Sequence, residues 1–329
     1  MTMKSADKLT SAIPLDGAPI PLIGDRVKAR KKTLQTALSC WQLYVLILPA
    51  VIYVFIFNYV PMYGVQIAFK DFRTSLGIWG SEWVGLRHFI RFIEFPNFGL
   101  IMTNTLRLGL YTLATFPSSV ILALLMNELT SIRFKKSVQM ITYAPFFLSI
   151  VVKCSMIILF LDRDAGVINN ILELLGFARV QFMAEASAFS HIFVWSGVWQ
   201  TVGWGTIIYL AALSNVSPEL IEAARVDGAN RVHIIRHVNL PCIMPVVVIM
   251  LILSSGNVMA VGFEKVFLLQ TSLNLSRSQV IATYVYEIGI IGTQFSYAAA
   301  IGLFNTIINI TILIMVNIAA KRMTNTSIW

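Results

Sequence analysis

Two groups of residues have types and spacings that could do work. The first lies in residues 214–241, SNVSPELIEAARVDGANRVHIIRHVNLP. Ser217 is a good N-cap, and Pro218 follows at the first helical position. Glu219 and Glu222 fall in the first turns, where the helix dipole favours acids. Leu220, Ala223 and Ala224 share a face at i, i+3 and i+4, and two alanines let another backbone come close. Asp227 precedes Gly228, which is placed to end the helix. Asn230 could cap a second short helix running to about His237, and Leu240 and Pro241 are expected to end the loop and redirect the chain. This is non-covalent chemistry. It is the profile of a peg for a groove in a partner, or equally of an ordinary amphipathic linker.

The second group sits in apolar sequence. WSGVWQTVGWG carries Trp195, Trp199, Gln200 and Trp204. Aromatic faces beside amides and hydroxyls suit a sugar, whose ring stacks and whose hydroxyls need partners. Trp195 and Trp199 share a helix face, and Trp204 lies about 140° round from Trp199. Asn257 adds a further amide, and Asn305 and Asn309, four apart, share a face. Packing aromatics and interhelical hydrogen bonds are the rival readings. Lys153 stands well inside an apolar run, where a charge is costly. It could attract an anionic sugar, snorkel to an interface or pair with a partner subunit.

Other chemistries find no residues to carry them. No Asp or Glu falls inside an apolar segment, as ion-coupled carriers and paired-acid hydrolases need. His191 is the only histidine in such a segment. Cys40, Cys154 and Cys242 are isolated, so neither a metal site nor a disulfide is implied. The chain lacks a GxxxxGK[ST] phosphate loop, so ATP hydrolysis in this chain is not expected.

The elements that must position these residues are set by hydropathy. Of 329 residues, 57% are hydrophobic and 12% charged, against roughly a quarter charged in soluble domains. The net charge of +9 clusters at the ends of apolar segments, which argues against nucleic acid. A spanning helix needs about 20 apolar residues. Segments near 41–60, 100–126, 138–161, 188–213, 243–262 and 297–319 qualify, which predicts an all-α integral membrane protein with six transmembrane helices. The first apolar run begins only after residue 40 and is long enough to span, so no cleavable signal peptide is expected. Residues 1–40 read as a basic cytoplasmic tail with Lys28, Arg30, Lys31 and Lys32, and 41–329 as the membrane domain. Arg133, Lys135, Lys136, Arg225, Arg231, Arg236, Lys321 and Arg322 would share the tail's side, placing both termini and residues 214–241 in the cytoplasm. On the outer side, residues 167–177 form an amphipathic stretch suited to the membrane surface.

With the loop placed, its residues can be set against a known pattern. Glu222-Ala-Ala-Arg-Val-Asp-Gly228, nine residues, then Val238-Asn-Leu-Pro241 resembles the EAA loop of binding-protein-dependent ABC importer permeases. The one departure is Val238 for isoleucine. The resemblance implies a type I importer permease fold and a coupling helix that inserts into a cleft of an ATPase subunit. Glu222 and Gly228 would be contact and turn residues, with Ala223 and Ala224 as the packing face and Asp227, Leu240 and Pro241 completing the coupling element. Asn58–Phe72, Gly77–Gly80, Trp83–Phe92, Asn127-Glu128 and Arg133–Lys136 are similar to the carbohydrate branch, within it to permeases for aldouronate, alginate and related oligosaccharides.

The resemblance thus implies a multi-pass permease of the bacterial inner membrane, not itself an enzyme. Its partners would be a second homologous permease, two ATP-binding cassette subunits and an extracytoplasmic solute-binding protein. ATP and magnesium would be bound by the ATPase partner, with no cofactor in this chain. The cargo would be an oligosaccharide, including anionic uronic-acid oligosaccharides. A permease for another solute and an ion-coupled secondary transporter are the remaining readings.

Overall fold

The structure is a computed structural model and describes residues 41–324. The basic tail expected over 1–40 lies outside the described residues. The chain falls into two units, residues 1–64 and 65–329.

In the first unit, α1 (Trp41–Val54) is an apolar rod with no buried residue. It runs through a π turn, Phe55–Tyr59, into Val60–Met62, which contains Pro61. The π turn has a physical cause. A proline ring clashes with the carbonyl four residues back, and widening the turn relieves the clash. Val60 N–H accordingly bonds back five residues, to Phe55 O.

A 3-10 turn, Tyr63–Phe69, runs across the boundary, and the second unit then forms a two-rung antiparallel ladder of β1 (Lys70–Asp71) and β2 (Glu82–Trp83). The ladder is fastened by Phe72 N–H donating to Ser296 Oγ, 2.9 Å, and by His88 Nε2 against Lys70 O. Helix α2 (Arg87–Ile93) leads to α3 (Phe98–Ala114) and α4 (Pro117–Asn127), which together form one apolar span.

The third apolar segment is not the single helix expected over 138–161. Ile132–Phe147 and Ile150–Phe160 meet at 104°. Helix α5 (Ile132–Tyr143) tightens into a 3-10 turn holding Pro145. Leu148 and Ser149 are extended, and Ser149 Oγ accepts from Val152 N–H to cap α6 (Ile150–Phe160). A proline stop and a serine start, four residues apart, outweigh an unbroken apolar run.

Helix α7 (Val167–Leu174) follows, then α8 (Phe189–Leu213), the 25-residue helix that carries the three tryptophans. Among the described residues four helices are both long and apolar enough to cross a membrane, Trp41–Phe69, Phe98–Asn127, Arg231–Ser255 and Phe295–Arg322, and there are five if the bent pair is taken as one span. Helix α8 has the length, at roughly 1.5 Å per residue. It packs along α4 and α5.

After α9 (Pro218–Val226) comes α10 (Arg231–Ile234), a π turn (Ile235–Asn239) and α11 (Leu240–Ser255). Leu240 and Pro241 therefore do not redirect the chain. Residues 231–255 run as one helix, because the π turn accommodates Pro241 as the earlier one accommodates Pro61, with Leu240 N–H bonding to Ile235 O.

Helix α11 also stops at Ser255, short of the expected 262. The loop beyond it is held from outside. Met259 N–H donates to Asn309 Oδ1 at 3.0 Å, and Asn305 Nδ2 donates to Met259 O at 3.3 Å. Gly109 on α3 lies so close to Val258 that a Cβ there would collide with the Val258 carbonyl. Helices α12 (Phe263–Leu269), α13 (Ile281–Tyr286) and α14 (Phe295–Thr324) complete the unit.

Three apolar clusters hold these elements. Leu108, Phe193, Val194, Val266 and Cys154 join α3, α8, α12 and α6. Phe92, Ile101, Ile281 and Ile301 join α2, α3, α13 and α14. Val120, Ala123, Tyr209 and Ile243 join α4, α8 and α11.

Candidate functional site

Helix α9 forms as its capping residues demand. Ser217 Oγ accepts from Glu219 N–H, and Pro218 occupies the first turn. At the other end Gly228 sits at φ 80°, a conformation that costs any residue with a Cβ about 1–2 kcal/mol. Ala229 N–H bonds to Ala224 O and Gly228 N–H to Arg225 O, closing a Schellman motif. Asn230 Oδ1 accepts from His233 N–H at 2.9 Å and starts the next helix.

No residue of α9 is buried. Glu222, Ala223, Asp227 and Gly228 are exposed and Ala224 half-buried, while Val226 is 88% exposed. A capped helix presenting small apolar side chains to solvent has the form of a docking element. Of the downstream residues, Leu240 is half-buried and Pro241 exposed, at the start of α11. Between them and α4, sequence reasoning missed one link. Asn239 is fully buried and its amide donates to Glu128 Oε1 at 3.1 Å, joining the π turn before α11 to the end of α4.

The second site is a cavity of about 990 Å³ between α3, α4, α8 and the segment after α11. Gln200, Trp204 and Asn257 line it. The Trp204 ring stacks on Phe146, with centroids 4.4 Å apart and planes 1° from parallel, and Phe147 meets its edge. Thr115, Ser118 and Ser119 add hydroxyls to the lining. Thr115 and Thr201 donate to carbonyls of their own helices, Thr112 O and Gly197 O, which leaves their lone pairs as acceptors. Asn257 Nδ2 donates to Leu253 O, which leaves its carbonyl oxygen as the amide's acceptor. A mostly apolar wall with a flat aromatic stack and a few hydroxyls and amides matches what a saccharide offers, apolar ring faces and O–H groups.

The other sequence-selected residues stand elsewhere. Trp195 Nε1 donates to Tyr111 Oη, which meets His191 Nδ1 at 2.9 Å. Trp199 is exposed and, like Trp195, lies off the cavity wall, on the face away from Trp204. Asn305 and Asn309 are committed to Met259. Lys153 is 4% exposed on α6, where that helix packs on α12, outside the cavity lining. The cation that does line the cavity is Lys265, which local spacing did not single out because its partner, Phe193 O, is 72 residues away.

Comparison with known proteins agrees with this geometry. Residues 97–325 match the family described as binding-protein-dependent transport system inner membrane component. The polygalacturonan/rhamnogalacturonan transport system permease protein YteP of Bacillus subtilis (strain 168) is 42% identical, over 89% of this chain and 92% of its own. Protein LplB of the same organism is 41% identical over 85% of this chain and 88% of its own. A chain of the crystal structure of a bacterial ABC transporter involved in the import of the acidic polysaccharide alginate superposes with TM-score 0.81. The two are 36% identical, over 89% of this chain and 99% of that one. A second crystal structure of the alginate transporter, in complex with an alginate pentasaccharide-bound periplasmic protein, gives TM-score 0.82 at the same identity and coverage. The exposed capped helix, the cavity beside Trp204 and these matches converge: the chain belongs to the binding-protein-dependent transport system inner membrane components, as a multi-pass permease subunit of an ABC importer.

Proposed function

We propose that this permease imports oligosaccharides, with uronic-acid oligosaccharides as the favoured class, and that α9 couples it to an ATPase. The observation that carries the cargo reading is the cavity wall, which combines the Trp204–Phe146 stack with the side chains of Gln200, Asn257, Thr115 and Ser119. The relatives' printed cargoes, polygalacturonan/rhamnogalacturonan and alginate, are polymers rich in uronic acids and support the same reading.

In this reading six spans, including α8 and the bent pair, carry the chain across the membrane with both termini in the cytoplasm. A second permease pairs with it, a solute-binding protein delivers sugar from outside, and two ATPase subunits bind ATP and magnesium below. Closure of the ATPases moves α9, and the Asn239–Glu128 bond passes that movement to α4. Alternating access then follows from rigid-body motion around the cavity.

The test is uptake by the assembled importer in proteoliposomes. Tri-galacturonate should enter only with ATP and binding protein, and Glu222→Lys with Gly228→Pro should abolish ATPase association and uptake together. Survival of both after that double substitution would refute the coupling role. Failure to move any oligosaccharide would refute the cargo.

A further inference from the structure

Among the described residues, no carboxylate pairs with the ammonium of Lys265. It is 8% exposed, on α12, and lines the cavity. Its ammonium donates to Phe193 O at 2.7 Å and lies 4.7 Å from the Phe193 ring centroid. An ammonium has three N–H donors, so one protein carbonyl does not satisfy it. The ion pairs among the described residues, Arg73–Asp71 and Arg179–Glu173, do not include it. The cavity lining holds no Asp or Glu. Lys153, on the helix packed against α12, adds a second positive charge rather than a counter-charge.

Removing a charge from water without a partner is expensive, and leaving one facing a cavity is useful only if a partner arrives. The partner must be an anion that fits a mostly apolar wall with an aromatic stack and a few hydroxyls. We infer that Lys265 is a carboxylate-binding residue of the sugar path, which selects uronic-acid units over neutral ones. The inference rests on the oligosaccharide reading above and assigns its preference for uronic acids to a residue. Each remaining N–H of Lys265 can take a uronate carboxylate oxygen, while the sugar ring turns toward Trp204 and its hydroxyls toward Gln200 and Ser119. Gly197 makes room for this arrangement, since a Cβ there would stand 3.2 Å from the Lys265 ammonium.

The experiment uses the assembled importer in zwitterionic-lipid vesicles, so that anionic headgroups do not occupy the site. It compares uptake of tri-galacturonate with that of its carboxyl-reduced, neutral counterpart. Lys265→Met should lower tri-galacturonate uptake at least about tenfold and the neutral sugar by less than about twofold, the scale of a lost charged hydrogen bond. Lys265→Arg should restore the preference. If Lys265→Met does not assemble, Gly197→Ala serves instead, since it displaces the ammonium without removing it and should weaken the anionic sugar alone. Equal loss for both sugars, or no loss for either, overturns the assignment. A wild-type importer that moves neither sugar refutes the oligosaccharide reading and this assignment with it.

Discussion

Helices α7 and α9 both close with a glycine in the left-handed region, Gly176 at φ 85° and Gly228 at φ 80°. Both glycines sit in Schellman motifs, with Phe177 N–H on Leu172 O in one and Ala229 N–H on Ala224 O in the other. What holds the two helices in place differs. Asn169 of α7 is fully buried, donating to Asp162 O and Val180 O and accepting from Val180 N–H. Arg179 adds bonds to Arg163 O and to the Glu173 carboxylate. Helix α9 has no such anchor, and its capping bonds stay within residues 217–229. Both expose a large apolar side chain near their ends, Leu174 at 86% and Val226 at 88%. A helix fixed from outside is a platform. A helix without such outside hydrogen bonds is free to take its place from a partner, which is what coupling to a moving ATPase requires.

The largest expected effect breaks the platform. Asn169→Leu leaves buried backbone groups at Asp162, Val180 and their neighbours unpaired, and should cost about 3 kcal/mol. Thermal unfolding in detergent should shift down, and protease should cut residues 162–187 faster. Unchanged values would show that α7 is not anchored through Asn169.

A smaller effect distinguishes the two glycines. Gly228→Val forces a β-branched residue into the left-handed region, at about 1–2 kcal/mol. It should lower co-purification of the ATPase while the melting temperature of the membrane unit stays put. The matched Gly176→Val should leave co-purification alone, and a similar loss from both would erase the contrast.

Ser217→Ala removes the cap of α9 and should cost about 1 kcal/mol. Amide exchange at Glu219 should quicken without change elsewhere. The smallest effect belongs to Glu173→Gln, which breaks an ion pair of 2.7 Å whose carboxylate side chain is 61% exposed. It should cost less than about 1 kcal/mol and vanish in high salt.

How much of this was legible depended on the distance over which each signal acts. Ser217, Gly228 and Asn230 cap within three residues of themselves, so their roles could be read from spacing. Asn305 and Asn309 were correctly placed on one face, yet their partner Met259 lies 46 and 50 residues away, and spacing could not name it. The break at Leu148-Ser149 was hidden by apolar residues on both sides, although Pro145 and Ser149 were its markers. Nothing in the sequence around Lys265 marks it, and only the folded packing of α12 on α8 brings it to the cavity. Trp204 was separable from Trp195 and Trp199 by helix geometry alone, and the structure sets it on the cavity wall, where they are not.

The contrast between α7 and α9 has one direct measurement, photo-cross-linking from Val226 and from Leu174 in the assembled importer. The two positions are matched in exposure and differ in the helix that carries them. The account predicts an ATPase adduct from position 226 and none from position 174. No adduct at 226, or equal adducts at both, would contradict it.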